Sequence, residues 1–295
     1  MITAPPQQVL IDAFGTALGV RTTLVADRRG TALWRVRLIG GGQYALKITT
    51  ACTDPQGHVD SEHLALVEAG LLQALERDGV MSGFYHRHGK LPDGTGTWLS
   101  LVWLPGEEAE TAFAALRRAP DDVSAARHAA AMAGAVADLH EAGWRHGDMQ
   151  EVHFILDGAR AHLLDFAMAQ PPASADAPIV YRGAYDFFNS PELAARRLAT
   201  GPTEHLELTT ASEVWSLCAT VYACWTGVYP ISAKDTGLST PALRAELARG
   251  QCRPLVDVRP WPFPAFEDAI SAGLTIDSGQ RPTARRLQHM FELLL

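Results

Sequence analysis

Nearly every β-prone run in this chain lies before Gly106, and nearly every helix-patterned run lies after it. Segregation of that kind suits an α+β protein, as one large domain or as two lobes in which the early strands pair among themselves and the later helices bury a core of their own. With 295 residues, 47% of them hydrophobic, the chain holds enough apolar material for either. The Pro105-Gly106 break sets the expected boundary, with a small β-rich lobe over 1–104 and a larger helical lobe over 105–295.

Within the first lobe, TALWRVRLI carries Leu33, Val36, Leu38 and Ile39 in a β-rich, imperfectly alternating run, and Gly40-Gly41-Gly42 leads into QYALKITT. A glycine turn between two such runs predicts a hairpin. The one charge of the second run is Lys47. From Ser61 to Arg77, Leu64, Leu71, Leu72 and Leu75 recur near helical spacing, with Ser61 as the expected N-cap, Gly79 just past the end and Glu68 on the helix. HRHGKLPDGTGTWLSLVWLPGEE reads as strand, polar turn, strand. The lobe is therefore expected to be strands around one helix.

In the second lobe, SAARHAAAMAGAVADLHEAG predicts a long buried helix opened by Asp121, Asp122 or Ser124 and stopped at Gly143. HFILD and AHLLDF flank Gly158 and read as a short hairpin. Met168 to Asn189 has no periodicity and reads as a long functional loop. Helical patterns resume in SEVWSLCATVYACWTG, PALRAELARG, FEDAISAGL and TARRLQHMFELLL.

A net charge of −8 and the lack of any Lys/Arg-rich run argue against nucleic acid or an anionic membrane as the main partner. Cys52, Cys218, Cys224 and Cys252 form no CxxC pair and no zinc spacing, so reduced thiols in a cytoplasmic protein are expected. No signal-peptide pattern opens the sequence, and no apolar run reaches the roughly 18 residues of a spanning helix.

Phosphoryl transfer from ATP needs a cation for the phosphates, a carboxylate for a metal ion and a carboxylate to orient the attacking hydroxyl. Such groups occur in order: Lys47 on a predicted strand in ALKI, Glu68 on the next helix, Asp148 in HGDMQEVHFIL and Asp165 in LLDFAMA. Beyond these, SPELA contains Glu192, SEVWSLCATVYACWTGVYPI contains Glu213, and QRPTARRL contains Arg281. Taken together, the strings resemble the protein-kinase-like superfamily across nearly the whole chain. The later ones are similar to eukaryotic-like Ser/Thr protein kinases, and the HGD loop with Gln150 is similar to aminoglycoside-type phosphotransferases.

The resemblance implies a two-lobed protein-kinase-like fold and an ATP-dependent phosphotransferase. Asp148 would be the catalytic aspartate, Lys47 would position the phosphates and Glu68 would orient Lys47. Gly30, Val102, Trp103 and Asp165 would join Lys47 in binding the nucleotide. Asp165 and His153 would hold magnesium, or manganese. Glu192 and Arg281 would form a buried ion pair. The acceptor implied is a Ser/Thr hydroxyl of a protein or peptide, a biosynthetic peptide precursor included; a small-molecule kinase and a pseudokinase acting as a binding scaffold are the alternatives.

Departures from the pattern have consequences of their own. His153 stands where the family has a metal-binding asparagine, and an imidazole suits softer metals than magnesium. ADRRGTALWRV has only Gly30 in place of a glycine-rich loop. Gly147 replaces the arginine that would meet a loop phosphate, so activation by loop phosphorylation is not expected to follow the usual route; the loop contains Ser174 and Tyr181, and nothing in the sequence marks either as modified. Gln150 replaces a lysine, and Glu213 a structural aspartate.

Overall fold

The computed structural model describes the main chain of residues 4–28, 30–50, 61–172, 178–231 and 238–295, and the side chains of all of these but 61–64. The side chains of Ser61 and Leu64, and the whole of Cys52 and Ser174, therefore lie outside the described residues. The chain is mixed α+β and divides into two units, Met1–Leu104 and Pro105–Leu295.

The first unit contains α1 (Gln7–Phe14) and a five-stranded antiparallel sheet. Across the sheet the order is β1 (Arg21–Arg28), β2 (Thr31–Arg37), β3 (Gln43–Thr50), β5 (Gly96–Val102) and β4 (Tyr85–Lys90). Helix α2 (Ser61–Arg77) packs on β3, β4 and β5. Alternation along β2 sends Ala32, Trp34 and Val36 into a core shared with Leu46, Ile48 and Trp98. Leu46 and Ile48 flank Lys47, so the ammonium stem leaves β3 from the opposite face.

Strands around a single helix is too simple a description of this unit. α1 adds Val9, Leu10 and Ala13 to the core and ends at Gly15, which is left-handed at φ 76°. Its N-cap is Pro6, which has no side chain able to bond the first turn, so the usual start signal is absent. β1 also lacks a pattern: almost all of it is exposed, and it is held by main-chain pairing to β2.

The second unit opens with β6 (Glu107–Glu108), α3 (Ala109–Arg118) and α4 (Asp122–Glu141). Asp121 caps α4 by accepting from the Ser124 amide at 3.2 Å, and the chain turns out of the helix at Gly143, φ 81°. β7 (Phe154–Asp157) and β8 (Arg160–Leu163) form the hairpin around Gly158, with β6 on its edge. The helices α5 (Pro191–Ala199), α6 (Thr210–Thr226), α7 (Thr240–Arg249), α8 (Leu255–Val258), α9 (Pro264–Gly273) and α10 (Ala284–Glu292) complete the unit. α6 is buried almost all round, and α10 lies along the alanine-rich α4.

Arg281 ties α5 and α6 to the turn before α10. Its guanidinium grips both oxygens of Glu192 at 2.7 and 2.9 Å and donates to the carbonyls of Ala211, Thr275 and Ile276. All five N–H groups are thereby used, which is what burying an arginine requires. Among the described residues, no helix is long and apolar enough to cross a membrane.

Candidate functional site

In the first unit, Lys47 Nζ donates to Glu68 Oε2 at 2.6 Å, with Glu68 buried and Lys47 partly exposed. Both positions follow from local structure: Lys47 leaves β3 on the face that α2 covers, and Glu68 sits among the buried Val67, Ala69, Leu71 and Leu72. A carboxylate in such surroundings is stabilised by an ammonium at contact distance. Gly30 and Trp103 lie toward opposite ends of β3, with Lys47 between them. The Thr50 amide donates to the Gly30 carbonyl, while the Trp103 amide donates to the Gln43 carbonyl. Gly30 has φ 79°, a turn conformation that glycine takes without strain. Val102 pairs with Tyr44 and donates to the Phe84 carbonyl, and Arg35 lies 4.4 Å over the Trp103 ring.

In the second unit, residues 146–153 and the end of the β7–β8 hairpin form one closed hydrogen-bonded circuit. His146 is wholly buried; its Nδ1 accepts from the Asp148 amide at 3.2 Å, and its Nε2–H donates to the Leu164 carbonyl at 2.9 Å. An amide can only donate and a carbonyl only accept, so this imidazole is the neutral Nε2–H tautomer. Burial, with His153 nearby, holds its pKa below the ordinary value, in agreement. The Leu164 amide donates to the His153 carbonyl at 2.9 Å, and His153 Nδ1–H donates to the Asp148 carbonyl at 2.8 Å. The circuit fixes His146, Asp148, His153 and Leu164 with respect to one another.

Asp165 follows Leu164 directly, at φ 62° and ψ 75°. Among the described residues it is the one non-glycine with positive φ. Such a conformation costs on the order of 1–2 kcal/mol and persists where the surroundings over-determine it. Here they do: Leu164 is bonded on both sides, and the buried Phe166 sets its ring against His146 at 4.9 Å.

The circuit brings the two aspartates to one imidazole. His153 Nδ1 stands 3.7 Å from Asp148 Oδ2, and His153 Nε2 stands 3.9 Å from Asp165 Oδ2. Gln150 Nε2 donates to the other oxygen of Asp148 at 2.7 Å. Burial pushes the Asp148 pKa up, Asp165 adding to this and His153 opposing it. Because Nδ1 of His153 carries the proton given to the Asp148 carbonyl, Nε2 is the nitrogen that faces Asp165. A cation between Nε2 and that carboxylate would be met by both.

Among the described residues, no group of three or more His, Cys, Asp or Glu side chains stands ready to hold a metal ion. Magnesium does not need one, since it usually takes one or two carboxylates, waters and substrate phosphates. The hard oxygens of Asp165 and the neighbouring Nε2 of His153 are the groups here that could hold a divalent ion.

The sequence named two contributors without showing what they hold. Glu213, which the resemblance gives as standing for a structural aspartate, accepts with its buried carboxylate from the His146 amide at 3.0 Å, the Gly147 amide at 2.7 Å and His140 Nε2 at 2.9 Å. Burial alone would raise its pKa, but the His140 hydrogen bond and the Gly147 amide hold it below the ordinary value. Tyr181, which the sequence placed only within the long loop, donates its phenol to the Gly147 carbonyl at 2.7 Å. No protein-family model matches the chain, and no curated protein matches its sequence.

Proposed function

We propose that the chain is an ATP-dependent phosphotransferase of protein-kinase-like architecture that moves the γ-phosphoryl group to a hydroxyl of a protein or peptide. The observation that carries this reading is the pair of carboxylates, Asp148 and Asp165, set 3.7 and 3.9 Å from the two nitrogens of His153. Carboxylates so close are of use to a reaction that handles a cation and a proton together. The Lys47–Glu68 pair supplies the remaining requirement, an oriented ammonium for phosphate oxygens.

In this reading Lys47 binds the α- and β-phosphates, and Glu68 keeps it extended. Asp148 accepts a hydrogen bond from the acceptor hydroxyl through Oδ2, while Gln150 holds Oδ1. As the hydroxyl oxygen bonds to the γ-phosphorus, the bond from that phosphorus to the bridging oxygen breaks, ADP leaves and Asp148 takes the hydroxyl proton. The raised pKa of Asp148 favours that late proton transfer. Asp165 and His153 Nε2 would hold a magnesium or manganese ion, which when bound neutralises charge on the phosphates.

A second reading, a partner-binding protein that transfers nothing, is favoured by His153 itself. Its imidazole lies against both carboxylates where a hard oxygen ligand would serve magnesium better. Transfer of label from γ-labelled ATP separates the two, measured with magnesium and then manganese, onto Ser/Thr peptide libraries, small-molecule hydroxyls and the chain itself. Transfer to peptide that drops at least about a thousand-fold in Lys47→Ala, Asp148→Ala and Asp165→Ala is the expected result. Label that reaches only small hydroxyls would replace the acceptor class, and an inert wild type with either metal would favour the binding reading.

A further inference from the structure

Gly147 is the one residue of the 146–153 loop anchored through both of its main-chain polar groups by buried side chains. Its amide donates to Glu213, and its carbonyl accepts from the Tyr181 phenol, 34 residues further along. It has φ 84°, and a Cβ there would overlap the Met168 carbonyl, so no side chain can take over the anchoring. Tyr181 is itself held: its carbonyl accepts from the Leu206 amide at 2.9 Å, its amide lies 3.1 Å from His205 Nδ1, and its ring packs among Leu193, Leu206, Leu208 and Met168. Gln170 ties that strip back, bonding the Leu206 carbonyl and the Leu208 amide while its main chain pairs with Arg145. Arg182 adds bonds to Thr200, Glu204 and Arg197. The segment after residue 177 is thus locked before any modification of it.

We propose that Tyr181 is a positioning residue: its unmodified phenol holds the Gly147–Asp148 peptide, and so aims the Asp148 carboxylate, in place of the phosphate–arginine contact that Gly147 has made impossible. The catalytic part of this rests on the phosphotransferase reading; the structural part does not. The geometry also removes Tyr181 from the candidates for phosphorylation in this conformation, because its oxygen is buried and faces a carbonyl. A phosphate there would have to be buried close to Glu213 and Asp148.

The test uses the full chain with Tyr181→Phe, which keeps the ring and removes the donor, beside Tyr222→Phe. The control loses a comparable phenol-to-carbonyl bond, from Tyr222 to Arg253, on a different part of the second unit. Amide hydrogen exchange is followed at Gly147 and Asp148, and a rise of about ten-fold in Tyr181→Phe but not in Tyr222→Phe is expected. Equal exchange in the two variants overturns the proposal, whether or not the chain is an enzyme. Where wild type transfers phosphate, kcat should fall about ten-fold or more in Tyr181→Phe, with KM for ATP within about two-fold and a melting temperature matching the control. Unchanged kcat overturns the aiming role. An inert wild type in which Gly147 exchange still rises refutes the phosphotransferase reading and leaves the anchoring by Tyr181 supported.

Discussion

Glu213 shows how one buried carboxylate can set a loop that it does not belong to. Its oxygens face the amides of His146 and Gly147 and the Nε2–H of His140, all donors, and water does not reach it. Glu213→Gln puts an NH2 group among those donors and leaves at least one of them unmet, at a cost of about 3 kcal/mol. The pH dependence has a definite sign. The folded-state pKa lies below the ordinary 4.5, so the stabilisation is fully present above that value and is lost as pH falls through the lower folded-state value. Thermal melts of wild type and Glu213→Gln should therefore stay apart from neutral pH down to about 4.5 and converge below it. Separation that widens on acidification would contradict this role.

Elements carry the same logic over longer spans, and Arg281 is the clearest case. The fork it makes with Glu192 joins α5, α6 and the turn before α10, and three carbonyls complete its coordination. A lysine offers three donors from one point in place of five in a planar fork, so Arg281→Lys should destabilise by about 2–4 kcal/mol. Urea titration should show a lower midpoint at an unchanged slope, since the folded core stays the same size. The QRPT and SPELA strings made this pair legible. Periodicity likewise made the β2–β3 and β7–β8 hairpins, α2, α4 and α6 legible, each having an apolar stripe or a glycine turn to mark it. α1 was not legible because a proline stands at its cap, and β1 was not because an almost wholly exposed strand has no alternation to read. The left-handed backbone of Asp165 and the 34-residue span from Gly147 to Tyr181 were beyond any local signal; tertiary bonds impose both.

At the scale of the whole molecule, the two units divide the candidate chemistry between them. The first holds the Lys47–Glu68 pair on its own sheet and helix, with its own core of Trp34, Val36, Leu46 and Ile48. In the second, the groups described as fixing Asp148 are all internal to residues 105–295: His146, Gln150, His153 and Leu164 around it, and Glu213, His140 and Tyr181 behind Gly147. It also has its own buried core, in which Trp215 and Phe188 sit with Ala219 and Leu247. A unit with a separate core and an internally satisfied loop meets the conditions for folding alone. Residues 105–295 expressed by themselves should unfold in one cooperative thermal transition and keep the Gly147 amide protected, while transferring no phosphate, because the ammonium that the proposed reaction would use lies on β3. Non-cooperative melting with exchange at Gly147 as fast as in a loop would mean that the aspartate loop depends on residues 1–104. Phosphate transfer by the fragment would instead remove Lys47 from the proposed chemistry.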